Sequence, residues 1–144
     1  MTLIYERIFK LLDRLTGDIV AFAESELVKG YLKLEVNGFM PLVVENITVD
    51  RRYPEISLAH YWELNGDLMK DPEITVRVHP VSKLAEALTF EQSDFGLFQR
   101  VYPEPGKVDL QAKKDLNNFL LFWLRNMIKQ GFFDKRAEIV DRKK

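Results

Sequence analysis

His60 and His79 are the only histidines in the chain, and they bracket a stretch rich in carboxylates, HYWELNGDLMKDPEITVRVH. Imidazole together with carboxylate can ligate a divalent cation, or act as a base with its orienting partner. If this stretch folds back as a hairpin, His60, Asp67, Asp71, Glu73 and His79 fall in one local region, with Arg77 alongside. They could then serve as polar contacts for a small ligand. The spacing, however, matches no known metal loop. Alternation also separates the histidines. His60 is in register with Ile56, Leu58 and Trp62, while His79 falls opposite Ile74, Val76 and Val78. A hydrogen-bonded, partly buried His60 accounts for the first position. Turns in which Asp67 and Asp71 bond their own backbone account for the carboxylates.

Chemistry elsewhere is sparse. There is no glycine-rich phosphate loop, no G-x-S-x-G elbow and no H-E-x-x-H. With no cysteine, disulfides, thiolate nucleophiles and zinc–thiolate sites are excluded. No metal and no cofactor is expected, and catalysis is not the favoured reading. A second group, Tyr31, Lys33, Arg77, Arg100 and Tyr102, interleaves aromatics with cations as single-strand nucleic-acid binders do. Glu35, Glu45, Glu55 and Glu73 compete for the same surface, and 21 basic against 22 acidic residues give a formal charge of −1. That balance supplies no global attraction to polyanions. A third group is apolar. Ten phenylalanines in 144 residues are many for a small core, and Phe95, Leu97, Phe98, Leu121, Phe122, Phe132 and Phe133 are the candidates for an exposed contact surface.

These residues need elements to position them. Leu116, Phe119, Leu120, Trp123, Leu124, Met127 and Ile128 recur at helical spacing between Asp109, suited to an N-cap, and Gly131, suited to the left-handed C′ position. Ile4, Ile8, Leu11, Leu12 and Leu15 predict an N-terminal helix ending before Gly17, with Thr2 as its cap. Residues 18–29 read as a short second helix or as irregular chain. Alternation predicts strands over 31–36, 42–49, 55–63, 73–79, 84–90 and 97–102. Asn37-Gly38 is the hairpin turn signal, and residues 65–72 read as a loop. Short links favour antiparallel neighbours. The expected fold is a single α+β domain: an N-terminal helix, an antiparallel sheet of about five or six strands and a long C-terminal helix packed on it. Residues 134–144 read as a charged tail, frayed or weakly helical.

Two stretches carry a resemblance. KLEVNGFMPLVVENI (33–47) has the form strand, glycine turn, strand. Residues 71–131 contain Thr75-Val76-Arg77, Ala85-Glu86, Tyr102-Pro103-Glu104 and then Asn118, Phe119, Leu120, Trp123, Leu124, Arg125 and Gly131. This ordered series resembles the YqiB-like bacterial family of domains of unknown function. The intervening ISLAHYWELNGDLMKDPE is longer than that family's pattern and looks more like small uncharacterised proteins of mobile elements and plasmids. The resemblance implies a bacterial cytoplasmic α+β domain and transfers no catalytic residue. The favoured expectation is a non-catalytic binding or adaptor protein working through a protein partner or homo-oligomer. The alternatives are a small-ligand or metal-binding protein using the His60–His79 hairpin, and a nucleic-acid accessory protein. No uninterrupted apolar stretch is long enough to span a bilayer, so a cytoplasmic location without membrane contact is expected.

Overall fold

The computed structural model describes residues 2–24, 30–93, 96–134 and 137–139. Its elements are α1 (Thr2–Thr16), α2 (Ile19–Glu24), β1 (Tyr31–Leu34), β2 (Leu42–Asn46), β3 (Glu55–Leu64), β4 (Asp67–His79), β5 (Leu84–Gln92), β6 (Leu97–Arg100), α3 (Leu110–Gln130) and β7 (Ala137–Ile139). The strands form one sheet in the order β6-β5-β4-β3-β2-β1-β7, and every neighbouring pair is antiparallel. β1 to β6 are therefore a plain meander, as the short connections require. The expected α+β architecture is the one observed.

One sheet face is apolar and covered. Leu32, Leu34, Leu42, Val44, Ile56, Leu58, Ile74, Val76 and Val78 lie on it, all buried. β5 contributes Ala85 and Ala87 there, and both α1 and α3 pack on that strand. Small side chains let the helix backbones come close. From α1 come Ile8, Phe9, Leu12 and Leu15; from α3 come Leu116, Leu120, Trp123, Leu124 and Met127. Full burial of each such aliphatic side chain is worth about 1.5–3 kcal/mol, so this layer carries most of the stabilisation.

The ends of α3 form as its sequence dictates. The Asp109 carboxylate accepts the Ala112 N–H at 3.0 Å. Gly131 takes φ +97°, and its N–H reaches the Ile128 carbonyl at 3.1 Å. α2 is capped by Asp18, which accepts the Ala21 N–H at 3.1 Å. It is held to the sheet through buried polar groups: the Asn46 amide donates to the Phe22 carbonyl at 2.9 Å, and the Thr48 hydroxyl to the Ala23 carbonyl at 2.7 Å.

Three expectations about boundaries are corrected. Residues 67–72 are strand, not loop. The tight turn falls at Asn65-Gly66, where φ is +52° and +86°, the doubly positive geometry of a two-residue hairpin. β4 thereby extends to thirteen residues. Pro72 is accommodated because Ala59 pairs with Glu73 and Tyr61 with Lys70, leaving Asp71 and Pro72 opposite His60 in a bulge where no ladder N–H is needed. At Asn37-Gly38 only Gly38 has positive φ, and β1 and β2 are joined by a longer loop, 35–41. Third, residues 137–139 of the expected tail are a strand on β1. This adds a seventh strand among the described residues.

Candidate functional site

β3 and β4 do pair as a hairpin, and they carry the two histidines to opposite faces of the sheet. His60 points into the helix layer and is 8% exposed. Its ring meets Trp123 edge-on at 5.3 Å between centroids and lies 5.5 Å from Phe132. Nδ1 lies 3.2 Å from the Pro41 carbonyl, a contact that fits an N–H donor. Burial pushes the His60 pKa below the ordinary histidine value, against the opposing hydrogen bonds to the loop carbonyls and the charge of Asp71. His60 is a neutral core histidine. It cannot share a ligand with His79, which corrects the idea of one site spanning both. Asp67 is exposed at the start of β4, and Asp71 accepts the Gln92 side-chain amide at 2.8 Å. Among the described residues no group of three or more His, Cys, Asp or Glu is placed to hold a metal ion.

His79 belongs to a different constellation. Its Nε2 lies 2.9 Å from Glu86 Oε2, while Tyr102 donates to Glu86 Oε1 at 2.6 Å. Lys113 of α3 donates to the Tyr102 hydroxyl at 3.3 Å and lies over the rings of Tyr102 and Tyr5, 5.7 and 5.8 Å from their centroids. β6 pairs only with residues 89–92 of β5. The edge at Glu86 is therefore open to approach from the chain after β6 and from the first turns of α3. Burial pushes the Glu86 carboxyl up, but the hydrogen bonds from Tyr102 and His79 and the charge of Lys113 outweigh it, so its pKa sits below the usual value. Burial and then the Glu86 hydrogen bond raise the Tyr102 phenol. Burial opposes the charge on Lys113, yet Tyr102 and Glu86 carry its pKa upward. Both carboxylate oxygens of Glu86 already accept hydrogen bonds. The arrangement ties β4, β5, the post-β6 turn and α3 together.

Next to it, a bulge at Leu88 shifts the β4–β5 register between Thr75 and Val76. The Ala87 N–H donates instead to the Asn117 side chain at 2.8 Å, and Asn117 in turn donates to the Lys113 carbonyl at 2.7 Å. Glu86, Lys113 and Asn117 were not singled out as site residues on sequence, and Tyr102 was grouped only with the aromatics and cations of a nucleic-acid surface. The one legible signal for the pair was that Glu86 and Tyr102 sit in the A-E and Y-P elements of the resemblance.

The other candidates divide. On the uncovered sheet face Arg77 pairs with Glu55 at 2.9 Å and lies over the Tyr53 ring at 4.9 Å. Lys33 pairs with Glu35 at 3.2 Å, and Arg100 lies over Phe98 at 5.0 Å. Arg77 Nε and Trp62 Nε1 are buried without a hydrogen-bond partner among the described residues. Of the apolar set, Leu97 (42%), Phe98 (48%) and Phe122 (60%) are exposed. Phe132 is 1% exposed, packed between His60 and the loop residue Phe39. Leu121 is buried at the helix–helix seam, and Phe133 is half-buried under Arg14. Neither Phe132 nor Leu121 offers the open surface expected of it: past the Gly131 cap Phe132 turns back onto His60 and Phe39, and at Leu121 α3 is covered over a wider arc than its main apolar stripe. Phe95 lies outside the described residues.

An antiparallel meander with its helices on one face and a mixed-charge network on the other defines a two-layer α+β domain. Residues 7–133 match the model of a domain of unknown function, DUF6908, and the chain belongs to that family. An uncharacterised family was expected; the match is to DUF6908 and does not carry the YqiB-like attribution. No curated protein and no solved structure matches the chain. No helix among the described residues is long and apolar enough to cross a membrane.

Proposed function

We propose that this chain is a non-catalytic protein-binding domain that self-associates through the β6 edge. The observation that carries this reading is the exposure of all four residues of Leu97–Arg100, at the end of the sheet order. An outermost strand presents backbone N–H and C=O groups that another strand can pair with. Leu97 and Phe98 add apolar area, and Arg100 over Phe98 supplies a polar rim. A second copy adding its own β6 is the simplest occupant, since an isologous contact needs only one patch. A cytoplasmic setting fits a chain without cysteine. Nucleic-acid binding has less support, because Lys33 and Arg77 are paired with carboxylates and Arg100 is stacked on Phe98.

The test is sedimentation analysis across a range of micromolar concentrations. A dimer that becomes monomeric in Phe98→Ser, with thermal unfolding unchanged at a dilution where both chains are monomeric, supports the reading. A chain that stays monomeric at every concentration, or a dimer indifferent to Phe98→Ser, overturns it.

A further inference from the structure

Between the N-terminal half of α1 and the first turns of α3 runs an open groove of about 590 Å³. Leu3, Ile4 and Leu121 supply its apolar lining, and Arg7, Lys113 and Lys114 supply its charge. No carboxylate lines it among the described residues. Arg7 and Lys114 are exposed and form no ion pair with any described residue. The charge of Lys113 is partly answered by Glu86, reached through Tyr102. This is a concentration of three cations over an apolar floor in a chain whose net charge is −1.

We infer that this groove binds a small amphiphilic anion, an apolar body carrying one carboxylate, phosphate or sulfonate head. The charge argument sets the sign of the head group: Arg7 and Lys114, unanswered by any described acid, together with Lys113, which Glu86 answers only through Tyr102, favour an oxyanion and repel a cation. Size sets the class. The volume lies within the range of small-molecule sites. The lining on α3 runs only from Lys113 to Leu121, about 12 Å at the helical rise, roughly two turns. A partner helix would need a longer track to bury enough area. Both walls are helices packed on the sheet, so the donors stand on rigid supports. Lys113 lies over the ring of Tyr5, itself a lining residue, which keeps the ammonium at the groove wall. The groove shares no residue with β6, so this inference stands apart from the self-association reading.

The experiment is a titration of the isotope-labelled full chain with sodium octanoate, octyl phosphate, octanol and octylammonium, read by amide chemical shifts. Saturable shifts confined to residues 3–7 and 113–121 are expected for octanoate and octyl phosphate, with octanol and octylammonium weaker by about tenfold or more. The ratio of octanoate to octyl phosphate affinity tells which head group is preferred. Arg7→Glu with Lys114→Glu changes only exposed side chains and should abolish the octanoate shifts without moving the thermal unfolding midpoint. Leu3→Asp, also at an exposed position, should do the same by removing apolar floor. Equal binding of octanoate and octylammonium, shifts scattered over the sheet, or no saturable shift would overturn the inference. So would binding of an acidic, leucine-bearing peptide at these residues with none of octanoate, which would make the groove a peptide site.

Discussion

His60, in the middle of β3, and His79, at the end of β4, belong to one hairpin and have opposite fates. His60 is enclosed by Trp123, Phe132 and the 35–41 loop, held neutral, and useful for the space its ring fills. His79 is on the uncovered face, its side chain 39% exposed, paired with a carboxylate that two other elements also reach. Residue type did not decide between them. The strand pleat decided which face each would take, and the helices covered only one. The covered face stores stability in packed volume, while the uncovered face holds charges in register.

The largest test of that contrast is volume on the covered face. Leu58→Ala, at a fully buried site, should cost about 2–5 kcal/mol in denaturant unfolding; a loss well below that range would mean the helix layer is loosely packed. Next comes the polar anchor beneath α3. Asn117→Ala leaves the buried Ala87 N–H without its acceptor and should cost about 1–3 kcal/mol, with Ala87 amide exchange accelerating. An unchanged exchange rate there would show that another acceptor takes over.

Titration separates the two histidine regions by pH. The folded pKa of His60 lies below its ordinary value of 6.5, so the unfolded chain binds its proton first. Its contribution is present above pH 6.5 and is lost as pH falls through the lower folded value. His60→Gln should remove that slope. Glu86 is likewise lowered, from 4.5, so its contribution is lost only below that pH, and Glu86→Gln should flatten the curve there. Unfolding midpoints measured across both windows would show whether the slopes assign to these residues; a slope near 6.5 that survives His60→Gln would sink the assignment. The smallest effect is expected at His79→Ala, under about 1 kcal/mol at neutral pH, since a half-exposed pair is screened by water. A larger loss would make the His79–Glu86 contact a structural anchor equal to the covered face.

Much of the fold was legible because local rules and tertiary contacts agreed. The Asp109 cap, the Gly131 stop and the α3 stripe follow from spacing alone, and the alternation of Ile74, Val76 and Val78 reported the covered face. A hairpin turn was assigned to Asn37-Gly38, and one closes there, Phe39 N–H to the Val36 carbonyl at 3.1 Å, but within a longer loop, while the two-residue tight turn forms at Asn65-Gly66. Both dipeptides carry the same local preference. Pairing of β3 with the whole of β4, bulge included, selects the second, while Phe39 packing on Phe132 keeps the first in a longer loop. Phe132 illustrates the same limit: past the end of a helix an aromatic reads as surplus, until the chain turns back onto His60.

The sequence by itself determined the first and last helices, the antiparallel order of the strands it revealed and which side of them would be apolar, since these depend on neighbours a few residues apart; it did not determine the first half of β4 or the strand at 137–139. The tertiary structure alone decided that Glu86, Tyr102 and Lys113 meet His79, that Asn117 answers the bulge at Leu88, and that Arg7 faces Lys113 and Lys114 across a groove. Those contacts join residues from separate elements. They exist because the β5 edge is left open beyond β6 and because α1 and α3 share one face of the sheet, conditions that no local spacing encodes.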